Sequence, residues 1–248
     1  MKSDIILLAS TLMESSSLRD RITSGHEEDV AGKKHIHGRL EGRSVSLVAT
    51  GIGTVNTAHA LTCVLERHRP KLVLQFGIGG AYTSSGLSVG DVAVATDEAY
   101  GDLGVQTPYG WASAELIGIP LLEKDGDRFY NTYPLDGRLA STALDLIQNI
   151  EWDEGSPISK KGTFVTVQQC SGVTDLGDET AARFNGICEN MEGAAAAHLC
   201  TVYDVPLVEI RAISNRVEDR NTVDWDLELS VARIQQSVLS IVKNIKIA

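Results

Sequence analysis

Four short segments hold the residues that could do chemistry. Glu14 lies in STLMESSS, just after an apolar run. Phe76–Gly80 reads FGIGG, Glu192 stands in NMEGAAAAH, and Ser214-Asn215 ends the run VEIRAIS. Glu192 is the most informative. It sits between an apolar stretch and an alanine-rich one whose small side chains allow close helix–sheet packing. Its carboxylate is therefore expected to be buried. Burying an unpartnered carboxylate costs on the order of several kcal/mol even after relaxation, so Glu192 has a partner or a task, or is stabilised by the dipole of the helix it opens. Glu14 alone reads as a solvated acid at a helix start and gains weight only beside the other segments. Gly77, Gly79 and Gly80 let backbone amides approach a ligand closely, although a tight turn explains them as well. Ser214-Asn215 either caps a turn after its strand or presents an amide to a ligand.

Several chemistries are excluded. The glycines are followed by Ala81 and Tyr82, so the G-x-G-x-x-G spacing of a dinucleotide site is missing, as is the lysine-bearing phosphate loop. Cys63, Cys170, Cys188 and Cys200 form no C-x-x-C pair, so no zinc or redox motif is predicted. The net charge of −11 disfavours nucleic acid. No apolar segment approaches the roughly 18 residues needed to span a membrane. The start, MKSDIILLAS, is too short in its apolar run for a signal peptide. With cysteines in apolar surroundings, these features predict a cytoplasmic protein.

The candidate residues need strands and helices to hold them. DIILLAS, KLVLQFG, DVAVATDE, GTFVTVQQC, GICEN and PLVEIRAIS read as strands, and KKHIHGRLEGRSVSLVATG as a hairpin turning near Glu41-Gly42. Helices are predicted around Ser15 to Arg21, in TVNTAHALTCVLERH up to Pro70, in LDGRLASTALDLIQNI, DLGDETAARF and GAAAAHLCTVYD, and from about Trp225 into LSIVKNIK. Residues 98–135 read as irregular, a lid or a surface excursion. Apolar strands alternating with helices predict an α/β fold with a mostly parallel sheet covered on both faces. Ligand sites in such folds lie at the carboxyl ends of strands, where all four segments fall. With 248 residues, 43% of them apolar, one domain over 1–248 is expected.

In this order, the segments MESSSLRDRI, ATGIGTVNTAHAL, FGIGGAY with LSVGDV, NMEGAAAAHLC and VPLVEIRAIS resemble the nucleoside phosphorylase/nucleosidase superfamily, and within it the methylthioadenosine/S-adenosylhomocysteine nucleosidases. The resemblance implies a three-layer αβα sandwich with a central mixed β-sheet, a homo-oligomer (a dimer by family default), and cleavage of the N-glycosidic bond of a purine nucleoside without metal or organic cofactor. It implies that Glu192 holds the ribose hydroxyls with Met191 packed beneath and Asn190 beside it, and that Glu14 is the general base. Asn215, with Ser214, would meet the purine N7. Gly77, Ile78 and Gly79 would line the site, and the loop of Cys170, Ser171 and Gly172 would cover the base. A carboxylate bonded to the ribose 2′-OH strengthens its hold as the sugar becomes cationic.

The bacterial phosphorylase branch carries an Arg just before the glycine loop and a Ser within it. This chain has Gln75 and Ile78 there, which favours water over phosphate as nucleophile. Adenosine-type nucleosidases carry Asp after RAIS. Asn215 has an NH2 to give but no acidic proton, a better match to the acceptor O6 of a 6-oxopurine. The ISN segment, RVEDRNTVDW and TVQQCSGV resemble the futalosine hydrolase branch, which releases hypoxanthine. Tyr109 and Trp111 would then line a slot for the 5′ substituent, and Arg216 or Arg220 would meet its carboxylate. The alternatives are a methylthioadenosine-type nucleosidase, a 6-oxopurine nucleoside phosphorylase, and a purine-binding module without turnover.

Overall fold

The computed structural model describes residues 3–153, 155–219 and 222–247. In chain order the elements are β1 (Ile5–Ala9), α1 (Ser16–Arg21), β2 (Thr23–Val30), β3 (Lys33–Leu40), β4 (Arg43–Ala49), α2 (Thr54–Arg67), β5 (Leu72–Tyr82) and β6 (Val92–Tyr100). Short strands follow: β7 (Gly104–Thr107), β8 (Gly110–Ser113), β9 (Leu122–Lys124), β10 (Asp127–Phe129) and β11 (Thr132–Pro134). The chain continues through α3 (Gly137–Gln148), β12 (Ser159–Thr166), α4 (Thr174–Phe184), β13 (Gly186–Asn190), α5 (Gly193–Tyr203), β14 (Leu207–Val217) and α6 (Leu227–Asn244).

β1 shows why the layers form. Its residues are all buried, and successive side chains of a strand point to opposite faces. Ile5, Leu7 and Ala9 join a core with Leu139, Ala143, Ile234 and Val238 of α3 and α6. Ile6 and Leu8 join the opposite core with Leu61 and Val64 of α2 and Ala196 and Ala197 of α5. Each such aliphatic side chain stabilises the fold by about 1.5–3 kcal/mol when fully buried. The result is the expected αβα sandwich. β1 runs parallel to β4 and β5, whereas β2–β3 and β3–β4 are antiparallel. β14 pairs parallel with β5 and antiparallel with β6, so β5, β14, β6, β12 and β13 close into a ring. The sheet is mixed, and the candidate segments gather at one end of this ring.

Five local expectations change. Thr23–Val30 forms an edge strand that the sequence pattern did not signal, because seven of its eight residues are exposed and no apolar alternation marks it. The glycines of FGIGG lie inside β5, not in a turn after it, and Ser214-Asn215 lies inside β14 at a bulge rather than capping a turn. Residues 98–135 are built from short strand pairs, not irregular chain. The last helix begins at Leu227, where the Asp226 side chain accepts from Leu229 N, rather than at Trp225. No helix among the described residues is long and apolar enough to cross a membrane.

Candidate active site

The ends of β1, β5, β13 and β14 meet around a cavity of about 310 Å3. Its wall includes Glu14, Ile78, Gly79, Cys170 and Ser171 from the sequence-predicted set, and also Asn190, Met191, Glu192, Ser214 and Asn215. Arg216 lines it too. Gly77 and Gly172 are not part of the wall, and Arg220 lies outside the described residues. Tyr109 is fully exposed, and Trp111 packs edge-on against Phe184 beneath Arg183, so within one chain neither enters the cavity.

Glu14 is 3% exposed and is held at both oxygens. Oε2 accepts from Thr11 N (2.8 Å) and Thr11 Oγ1 (2.9 Å), and Oε1 accepts from Ile78 N (3.0 Å). The solvated-acid reading therefore does not describe Glu14. Gly77 earns its place behind the wall: a Cβ there would lie 2.5 Å from Glu14 Oε1.

Glu192 opens α5 but does not cap it. Its Oε1 accepts from Gly53 N, at the N-terminus of α2 (2.9 Å), and its Oε2 accepts from Arg211 Nη1 (3.2 Å). Asn190 prepares this position. Its Oδ1 accepts from Glu192 N (2.9 Å) and Gly193 N (2.7 Å), so the amide caps α5 in place of the glutamate.

Arg211 is 1% exposed and is the residue that sequence reasoning missed. Its Nε and Nη2 donate to Glu209 Oε1 at 3.0 and 2.8 Å, while Nη1 serves Glu192. The signal was present: an arginine in an apolar strand needs buried carboxylates, and Glu209 two residues earlier shares its face. Glu98 and Glu209 are both fully buried. Burial first, and then the Glu209 charge, push the Glu98 carboxyl well above the usual carboxylate range; burial likewise raises Glu209 against the pull of Arg211. Glu209 Oε2 has no hydrogen-bond partner.

On the opposite wall, Glu189 anchors the covering loop. Its oxygens accept from Ser171 N (2.9 Å) and Ser171 Oγ (2.6 Å). Burial raises this carboxyl, and the Ser171 bonds partly offset the rise. Cys170 Sγ contacts Met191 Sδ at 3.4 Å. Met13, Ile52 and Trp225 add apolar surface that the sequence pattern did not mark. Ser214 Oγ donates to Asn215 Oδ1 at 2.8 Å, and Asn215 Nδ2 donates to Arg216 O at 2.9 Å. The cavity thus combines three fixed carboxylates, Glu14, Glu189 and Glu192, with the Asn215 amide and apolar surface.

Comparison with known proteins places this geometry. The family model described as the phosphorylase superfamily matches residues 5–243, and the chain belongs to that superfamily. The 5′-methylthioadenosine/S-adenosylhomocysteine nucleosidase of Bacillus subtilis (strain 168) is 29% identical over 235 residues, 94% of this chain and 95% of the relative. Among solved structures, the nucleosidase of that name from Neisseria meningitidis, in complex with methylthio-immucillin-A, superposes with a TM-score of 0.82 at 23% identity, covering 97% of this chain and 99% of that one. A futalosine hydrolase mutant of Helicobacter pylori strain 26695 superposes with a TM-score of 0.79 at 19% identity, covering 97% and 99%. At these identities the two structures establish a shared fold.

Proposed function

We propose that this member of the phosphorylase superfamily is a purine nucleosidase that uses water to cleave the N-glycosidic bond. One observation carries the reading: Glu14 and Glu192, both nearly inaccessible, face a single cavity that also holds the Asn215 amide. Glu192, fixed by Arg211 and Gly53 N, bonds the ribose 2′-OH and gains strength as positive charge develops on the sugar. Glu14, oriented by Thr11 and Ile78 N, accepts a proton from water as its oxygen bonds to C1′. The glycosidic electron pair leaves with the base, and the Asn215 NH2 stabilises the purine by donating to it. Phosphate fits this cavity poorly. Ile78 offers only a backbone N–H, already given to Glu14; Gln75 is outside the wall; and Arg211 is neutralised by Glu209 and Glu192.

For the base, Asn215 favours a 6-oxopurine nucleoside, and the futalosine hydrolase resemblance adds futalosine as its bearer. The second reading is a methylthioadenosine/S-adenosylhomocysteine nucleosidase. The Bacillus subtilis relative supports it more strongly than the comparisons support futalosine, since the futalosine hydrolase match is one of fold. A homodimer is part of the proposal, checked by sedimentation. The test is purine release from futalosine, inosine and methylthioadenosine, each with and without phosphate. Hypoxanthine from futalosine without phosphate supports the first reading, adenine from methylthioadenosine the second, and a phosphate requirement would overturn the hydrolase assignment.

A further inference from the structure

Four of the chain's six histidines, His26, His35, His37 and His68, line one cavity of about 450 Å3 that shares no residue with the candidate active site. The antiparallel pairing of β2 with β3 sets Glu28 opposite His35 and His26 opposite His37. Residues opposite one another, or two apart on a strand, project from the same face. All four side chains therefore share one face, and Val64, Arg67 and His68 at the end of α2 close the cavity. The His26 and His37 rings stack with centroids 4.9 Å apart.

His35 is 1% and His37 is 4% exposed, yet His35 Nε2 and His37 Nδ1 have no hydrogen-bond partner, and nor has His68 Nε2. A ring nitrogen without a hydrogen-bond partner can present its lone pair to a metal. One donor atom each from Glu28, His35 and His37 fall within 4.8 Å of one another.

We propose that Glu28, His35 and His37 bind a divalent transition-metal ion of the zinc type, with water or His68 in the remaining position. Two imidazoles and a carboxylate are a donor set suited to such an ion, whose ligands at about 2.0–2.1 Å lie roughly 3.4 Å apart in a tetrahedron. The widest separation therefore closes by up to about 1.4 Å, and Glu28, on the exposed rim, can shift to allow it. His37 Nε2 now lies 3.0 Å from Glu28 Oε1, a contact that the ion replaces. Arg67, 3.8 Å from the same oxygen, opposes a cation, but its side chain is half exposed and can turn to solvent. The ion would tie the polar edge strand β2 to β3. This site is independent of the active-site reading.

The test is calorimetric titration of chelator-dialysed protein with Zn2+, and with Co2+ followed by its visible spectrum. One ion per chain is expected. His35→Gln and His37→Gln should each weaken binding at least about tenfold. Because a buried histidine variant can fail to fold, Glu28→Gln is the companion, with folding checked by circular dichroism; it too should bind at least about tenfold more weakly. Absence of saturable binding, or equal affinity in folded Glu28→Gln, would overturn the site.

Discussion

Ser214 Oγ donates a 2.8 Å hydrogen bond to Asn215 Oδ1. That bond engages one of the two lone pairs of the carbonyl oxygen, and of the two N–H groups of Nδ2 one is used, by Arg216 O. Asn215 therefore keeps a spare N–H that can donate to a purine. A purine offers acceptors at N7 and, in hypoxanthine or guanine, at O6, whereas adenine presents an amino donor at that edge.

The two carboxylates should be separable from the fold. Glu14→Gln keeps the shape of the side chain but cannot take a proton from water. A fall in kcat of about 10²–10⁴ is expected, with the thermal midpoint little changed. Glu192→Gln should likewise lose turnover while folding normally. Steady-state purine release with parallel melting curves checks both; near-normal rates in either variant would remove that residue from the mechanism.

Gly77→Ala should act through Glu14, from behind the cavity wall. The added methyl would stand 2.5 Å from Glu14 Oε1 and 3.0 Å from Arg211 Nη1. Thr11 and Ile78 N hold that carboxylate, so it cannot yield without leaving its place. Displacements of about 1 Å cost on the order of 10²-fold in rate. A loss of that size in kcat in a soluble, folded variant is the expected result.

Stability should fall as pH rises above the ordinary carboxylate range. Glu98 holds its proton in the folded state to a higher pH than in the unfolded chain, chiefly through burial. The unfolded state then binds fewer protons, so stability is complete below the unfolded value of about 4.3 and declines as pH climbs toward the raised folded value. Glu98→Gln removes this titration, although it carries its own packing cost. Urea unfolding between about pH 5 and 8 should give a slope flatter by up to about 1.4 kcal/mol per pH unit. An unchanged slope would mean that Glu98 is ionised in the folded protein.

The layers were legible because β1 is a continuous apolar run and β5 and β14 are largely apolar, so they need cover on both faces. Glu192 was legible from the cost of burying a charge beside alanines. Arg211 was passed over because a cation in a strand is read by its partners, and one of these, Glu192, lies outside its strand at the start of α5. β2 was illegible because its side chains are polar on both faces and its only cue is its partner β3. The exposure of Tyr109 had no cue at all, since an aromatic residue in a Gly-Pro-rich stretch looks the same whether it lines a slot or faces solvent.

The most direct measurement is the ratio of kcat/KM for a 6-oxopurine nucleoside to that for its 6-amino counterpart, in the native protein and in Asn215→Asp. A mismatched polar contact at the base edge costs about 1–3 kcal/mol, or roughly 5- to 150-fold. The native enzyme should favour the 6-oxo substrate, and Asn215→Asp should shift the ratio toward 6-amino by a factor in that range. A native preference for the 6-amino substrate, or a ratio untouched by the substitution, would contradict the role assigned to Asn215.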